Sequence, residues 1–147
     1  MAEVAAAAKV PVILMHMRGT PKTMQQNCEY TNVVAEVAAY LKQRAEELSE
    51  LGIDAAKIIL DPGIGFAKNT EQNLALLQGL DALVGLGYPV LLAASRKTVI
   101  GETLGGCRRR KGLKERCFTL PGRVCRCAMV RVHDVKENVR AVRMLER

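Results

Sequence analysis

Short apolar runs alternating with amphipathic helical stretches predict a parallel α/β protein, either a doubly wound sheet or a barrel. Three observations carry this. Val10 to His16 is an unbroken apolar run, as expected of a strand buried on both faces. The following segment repeats apolar residues at Val33, Val37, Leu41, Ala45 and Leu48, which is helical spacing with charge on the other face. The same strand-then-helix order then recurs three more times along the 147 residues, enough chain for one domain with a sizeable core.

In order, the first strand leads through the loop Met17 to Pro21 to the first helix, with Gly52 as its expected C-cap. Lys57 to Leu60 is the second strand. The loop Asp61 to Lys68 ends at Asn69 or Thr70, either of which can cap a helix that buries Leu74, Leu77, Leu80 and Leu83. Pro89 to Ala94 is the third strand, followed by Ser95-Arg96-Lys97 and a short helix from Thr98 to Leu104. Ala128 to His133 is the fourth strand, and Lys136 to Glu146 repeats the helical pattern through Val139, Val142 and Met144.

Composition removes several function classes. No stretch of about 18 apolar residues is present, so no membrane span is expected. Met1 to Ala8 lacks a basic leader, which makes the cytoplasm the default location. The net charge of +7 suggests nucleic acid, but its position argues otherwise. Residues 107 to 127 hold eight basic residues against Glu115 alone, leaving 14 basic and 14 acidic residues elsewhere. A basic nucleic-acid-binding protein therefore rests on one window, in which Phe118 is the only aromatic residue. Cys107, Cys117, Cys125 and Cys127 share that window without the paired C-x₂₋₄-C spacing of structural zinc.

Chemistry-bearing residues gather at the C-terminal ends of the expected strands, where parallel α/β folds build their sites. Asp61-Pro62-Gly63-Ile64-Gly65-Phe66 places a carboxylate after the second strand. Such a group accepts paired hydrogen bonds from a guanidine-like heterocycle, whereas an isolated Asp-Pro-Gly is more often an ordinary turn. Lys97 can bond a ring nitrogen or carbonyl, or balance a phosphate, although a lone Ser-Arg-Lys is more often a solvated loop. Arg131 and His133 alternate onto one side of the fourth strand end and could receive an anion such as diphosphate. His16 is a possible ligand contact, although a single His at a strand end is more often structural.

Together, in this order and spacing, Val12 to Pro21, Asp61 to Lys68, Ser95 to Gly101 and Arg131 to Val135 resemble the fifth to eighth strand ends of the dihydropteroate synthases. The resemblance covers residues 1 to 106 and 128 to 147. It implies the C-terminal half of a (β/α)8 barrel, strands five to eight with their helices. The implied reaction condenses 6-hydroxymethyl-7,8-dihydropterin diphosphate with p-aminobenzoate, giving 7,8-dihydropteroate and diphosphate in folate synthesis. By position, Asp61 would bind the pterin's amino and ring-nitrogen edge and Met15 would pack on its ring. Lys97 would bridge the pterin and aminobenzoate, Phe66 and Thr98 would border the aminobenzoate, and Arg131 and His133 would hold the departing diphosphate. Mg²⁺ is implied as well, with its ligand in the half that this chain does not match, and the family is usually homodimeric. The competing enzyme class is half of a pterin-binding corrinoid methyltransferase, which as a rule lacks the Ser-Arg-Lys and Arg-Val-His-Asp segments.

Two departures shape the expectation. Nothing matches the family's N-terminal signatures, so Met1 corresponds to an internal Met ahead of the fifth strand, and a truncated product without synthase activity is expected. Residues 107 to 127 lack the family's Ala-rich helix while the 34-residue spacing from Lys97 to Arg131 is kept. Lost similarity with kept length reads as two compensating frameshifts.

Overall fold

The computed structural model describes residues 1–20, 22–24, 28–103 and 127–145. Its elements follow the expected alternation. Helix α1 (Ala2–Ala8) precedes β1 (Val12–Met15), and α2 (Val33–Glu50) leads to β2 (Ile58–Asp61). Helices α3 (Thr70–Gln78) and α4 (Leu80–Val84) come next, then β3 (Leu91–Leu92), α5 (Thr98–Thr103), β4 (Met129–Val130) and α6 (Val135–Leu145).

The strands are parallel and neighbours in chain order. β1 pairs with β2 from Val12 opposite Ile58 to Met15 opposite Asp61. A bridge between Leu60 and Val90 joins β2 to the start of β3, and β3 pairs with β4 through Leu91 opposite Met129 and Leu92 opposite Val130. Each strand therefore delivers its C-terminal end to the same side. Backbone hydrogen bonds continue past the strands, from His16 N–H to the Asp61 carbonyl at 3.0 Å and from Arg131 N–H to the Leu92 carbonyl at 2.9 Å. These bonds hold the ends of β1 and β2, and of β3 and β4, in register.

The core lies between this sheet and the helices that follow β1 and β2. Val37, Leu41 and Ala45 of α2 pack into one cluster with Ile58, Leu60, Leu76, Leu80 and Leu83. Each buried Leu or Ile contributes about 1.5–3 kcal/mol of transfer free energy, so the periodic apolar stripe of α2 is what fastens it to the strands. Its N-terminus is held twice. The Asn32 side chain accepts from Ala35 N–H at 3.1 Å, while the Glu36 carboxylate accepts from Thr31 and Asn32 N–H at 2.8 and 2.9 Å. Asn69 and Gln72 form a reciprocal capping box on α3, which selects Asn69 over Thr70 as the cap.

Several expectations need correction. The first strand is not buried on both faces: Ile13 is 54% exposed, whereas Val12 and Leu14, which point to the other face, pack against the core. The paired strands are also shorter than Pro89 to Ala94 and Ala128 to His133. Gly52 does end α2 as expected: it follows the cap Leu51 in the left-handed region at φ +87°, its N–H donating to the Ser49 carbonyl at 2.9 Å and the Ile53 N–H to the Leu48 carbonyl at 3.1 Å. The single helix expected through Leu74 and Leu83 is two, broken at Gly79, where a Cβ would stand 2.8 Å from a Val34 methyl. Leu76 is fully buried, and Leu74 is half-buried against the same core. The basic window and the frameshift reading, apart from Cys127, lie outside the described residues.

Candidate active site

Asp61 is the last residue of β2 and is 2% exposed. Its Oδ1 accepts from Gly63 N–H at 2.8 Å, so the turn that follows aims the carboxylate. Burial pushes its pKa up, while the Gly63 N–H, Arg131, Lys97 and Lys68 oppose that rise. The turn depends on glycine. Gly63 has φ +69°, and a Cβ there would sit 2.0 Å from the His16 carbonyl oxygen. Met15, opposite Asp61 on β1, reaches the same spot, its Cγ 3.5 Å from where that Cβ would be.

Lys97 follows β3, and its ammonium lies over the Phe66 ring, 3.9 Å from the centroid. Gly65, at φ +79°, leaves room for it, since a Cβ would meet Lys97 Cδ at 3.1 Å. Burial lowers the Lys97 pKa, as does the nearby Arg131 guanidinium, whereas Asp61 raises it. Asp61, Phe66, Lys97 and Arg131 therefore converge from the ends of three strands. Thr98, the first residue of α5, stands exposed beside Lys97.

His133 is tied to the β3 end. Its N–H donates to Ser95 Oγ at 3.2 Å, and its Nδ1 lies 2.7 Å from the same hydroxyl. Arg96, in the left-handed region at φ 57°, pairs with Asp134 at 3.2 Å. Arg131 and His133 are both exposed, with Val132 less so, which agrees with the expected alternation. The Ser-Arg-Lys and Arg-Val-His-Asp segments thus form one cross-linked rim.

His16 is not placed for a ligand. It is 2% exposed, its Nδ1 lies 3.0 Å from Lys68 Nζ, and its ring meets Tyr40 edge-on at 5.0 Å. Burial first, then the Lys68 and Arg18 cations, lower its pKa to about 4. Lys68 itself was not anticipated as a site residue. Its ammonium also donates to the Phe66 and Gly63 carbonyls at 2.9 and 3.2 Å, and burial lowers its pKa to about 8 with Asp61 opposing. A lysine just before a helix cap carries no sequence signal of burial, because lysine at such a position is ordinarily solvated. Arg18 was likewise missed: it pairs with Glu36 at 2.7 Å and covers the Tyr30 ring at 3.8 Å.

A buried carboxylate, a ring-backed lysine and an exposed Arg-His rim thus gather at the ends of parallel strands. Residues 1–133 match the family described as pterin binding enzymes, and the chain belongs to that family. The relatives it matches include dihydropteroate synthases: that of Synechocystis is 41% identical over 138 residues, covering 90% of this chain and 46% of the relative. That of Escherichia coli is 40% identical over 145 residues, 98% of this chain and 51% of the relative. The crystal structure of the Thermus thermophilus enzyme in complex with 4-aminobenzoate superposes with a TM-score of 0.93 at 38% identity, covering 99% of this chain and 57% of that one. The same enzyme in complex with 6HMPPP gives the same score and identity, with 58% of that chain covered. The chain thus spans about half the length of the curated relatives it matches.

Proposed function

We propose that this chain is the C-terminal half of a (β/α)8 barrel of a dihydropteroate synthase, contributing the pterin-edge, aminobenzoate and leaving-group contacts. The observation that carries this is the convergence of Asp61, Lys97 on Phe66, and Arg131. In this reading Asp61, oriented by Gly63, accepts from the amino and ring N–H groups of the pterin, with Met15 against its ring. Lys97 spans the pterin and the p-aminobenzoate, which Phe66 and Thr98 border. Arg131 and His133 receive the diphosphate as the C–O bond breaks and cationic character develops on the pterin methylene. The neutral arylamine then attacks that carbon, its proton passes to solvent, and diphosphate leaves with the bonding pair.

The described residues do not fit Mg²⁺, because no trio of His, Cys, Asp or Glu is grouped for a metal among them and the side assigned to the anion presents a guanidinium and an imidazole. No step above passes through it, and its ligand is assigned to the barrel half that this chain does not match. A cytoplasmic homodimer completes the proposal. No described helix is long and apolar enough to cross a membrane.

Titration of the chain with 6-hydroxymethylpterin tests the reading, with micromolar binding in wild type and loss of at least tenfold in Asp61→Asn. Equal affinity of the two proteins would sink it. The chain by itself is expected not to turn over, so diphosphate release dependent on p-aminobenzoate would overturn the claim that it is a half.

A further inference from the structure

Lys68 is 3% exposed, and its three ammonium protons face three acceptors: Phe66 O at 2.9 Å, His16 Nδ1 at 3.0 Å and Gly63 O at 3.2 Å. Burying a cation is costly unless each donor is matched, and an apolar side chain would fill the same space without that cost. The acceptors explain why a cation is there. Gly63 is the residue whose N–H orients Asp61 Oδ1. Phe66 carries the ring beneath Lys97. His16 is the residue whose N–H holds the Asp61 carbonyl.

The loop is wrapped around this one ammonium. Ala67, in the left-handed region at φ 52°, turns the chain so that Lys68 reaches back under its own loop. Asn73 fastens the outside, its Oδ1 accepting from Gly65 N–H at 2.7 Å and its Nδ2 donating to the Lys68 carbonyl at 3.1 Å. Lys68 bonds none of the side chains assigned to substrate, yet two of them, Asp61 and Phe66, are placed by the backbone of Gly63 and Phe66, whose carbonyls it holds.

We infer that Lys68 is a positioning residue, the buried cation that sets the Asp61 carboxylate and the Phe66 ring for the pterin and its co-substrate. The inference rests on the proposed role of Asp61 and deepens it. It also fixes the imidazole of His16: with Nδ1 accepting from the ammonium, the neutral ring carries its proton on Nε2.

The test uses the full 147-residue chain, ¹⁵N-labelled, at pH 7. In wild type the His16 nitrogens are expected to show an unprotonated Nδ1, and a proton found on Nδ1 overturns the inference before any variant is made. Lys68→Met should weaken 6-hydroxymethylpterin at least tenfold by calorimetry and speed amide exchange at Gly63 at least tenfold. Lys68→Arg, which keeps donors and charge, should recover most of both. Wild-type affinity and exchange in Lys68→Met, with binding lost in Asp61→Asn, defeats the positioning role while leaving the proposed function standing. Wild-type affinity in Asp61→Asn defeats the function instead, and the claim that Lys68 orders the loop is then decided by Gly63 exchange alone. If Lys68→Met does not fold, the wild-type imidazole tautomer and the affinity and exchange of Lys68→Arg decide the matter.

Discussion

The two sides of the site are built differently. The loop after β2 is buried, with Asp61, Gly63, Gly65, Phe66, Lys68 and Asn73 joined by hydrogen bonds between residues no more than eight apart in sequence, and tied to His16 by Lys68. The rim made by the β3 and β4 ends is exposed, and its bonds cross between segments 38 residues apart, from Ser95 to His133 and from Arg96 to Asp134. On the proposed function, the difference matches what each side would receive. A heterocycle edge needs a dry carboxylate in one orientation, since water competes for the same hydrogen bonds. A diphosphate is strongly hydrated, enters and leaves, and is served by accessible cations. Order is therefore concentrated where geometry discriminates, and charge where an anion must exchange with solvent.

The comparison is broken most severely at Gly63. Gly63→Ala puts a methyl into the His16 carbonyl and strains φ, and should cost at least about 3 kcal/mol of stability in chemical denaturation. A loss below about 1 kcal/mol would mean that the buried loop relaxes as freely as an exposed one.

Acid should reveal the same burial. The folded pKa of His16, about 4, lies below its ordinary value, so an unfolded chain takes up a proton that the fold refuses. The contribution is complete above pH 6.5, falls as pH drops toward 4, and is flat below. Over that window it amounts to about 2–4 kcal/mol. From pH 7 to 4 the urea midpoint of wild type should fall more than that of His16→Asn, which lacks the titrating ring; parallel curves would refute the assignment.

Lys97→Ala is the intermediate case, because Lys97 stands between the two sides. In a complete enzyme it removes one charged hydrogen bond to substrate, about 1.5–3 kcal/mol, or roughly ten- to a hundredfold in kcat/KM. Unchanged kinetics would leave Ser95-Arg96-Lys97 as a surface loop.

The smallest effect belongs to the rim. Arg96→Ala deletes an exposed pair with Asp134, which double-mutant cycles should put at about 0–1 kcal/mol. A value above that range would show the rim to be as tightly ordered as the buried loop.

The strand and helix order was legible in the residues, and so was the buried face of α2: Val33, Val37, Leu41, Ala45 and Leu48 are all buried as their spacing predicts. Periodicity reports which face of a helix is apolar, and α2 buries that face. It did not show the break at Gly79, where α3 ends and a Cβ would meet the Val34 methyls of α2. It also failed at β1, since an apolar run records what a strand could bury and not whether a neighbour is present to cover Ile13.

The sequence by itself determined the alternating α/β order, the placing of Asp61, Lys97, Arg131 and His133 at strand ends, and the family, because these depend on residue type and spacing along the chain. Only the tertiary structure decided that Lys97 rests on Phe66, that Ser95 holds His133, that His16 is internal and that Lys68 is buried. Those facts depend on which loops meet when parallel strands stand side by side, and contacts between segments 38 or 52 residues apart leave no periodic trace. A lysine reads as solvated in a sequence until three carbonyl and imidazole acceptors are found around it.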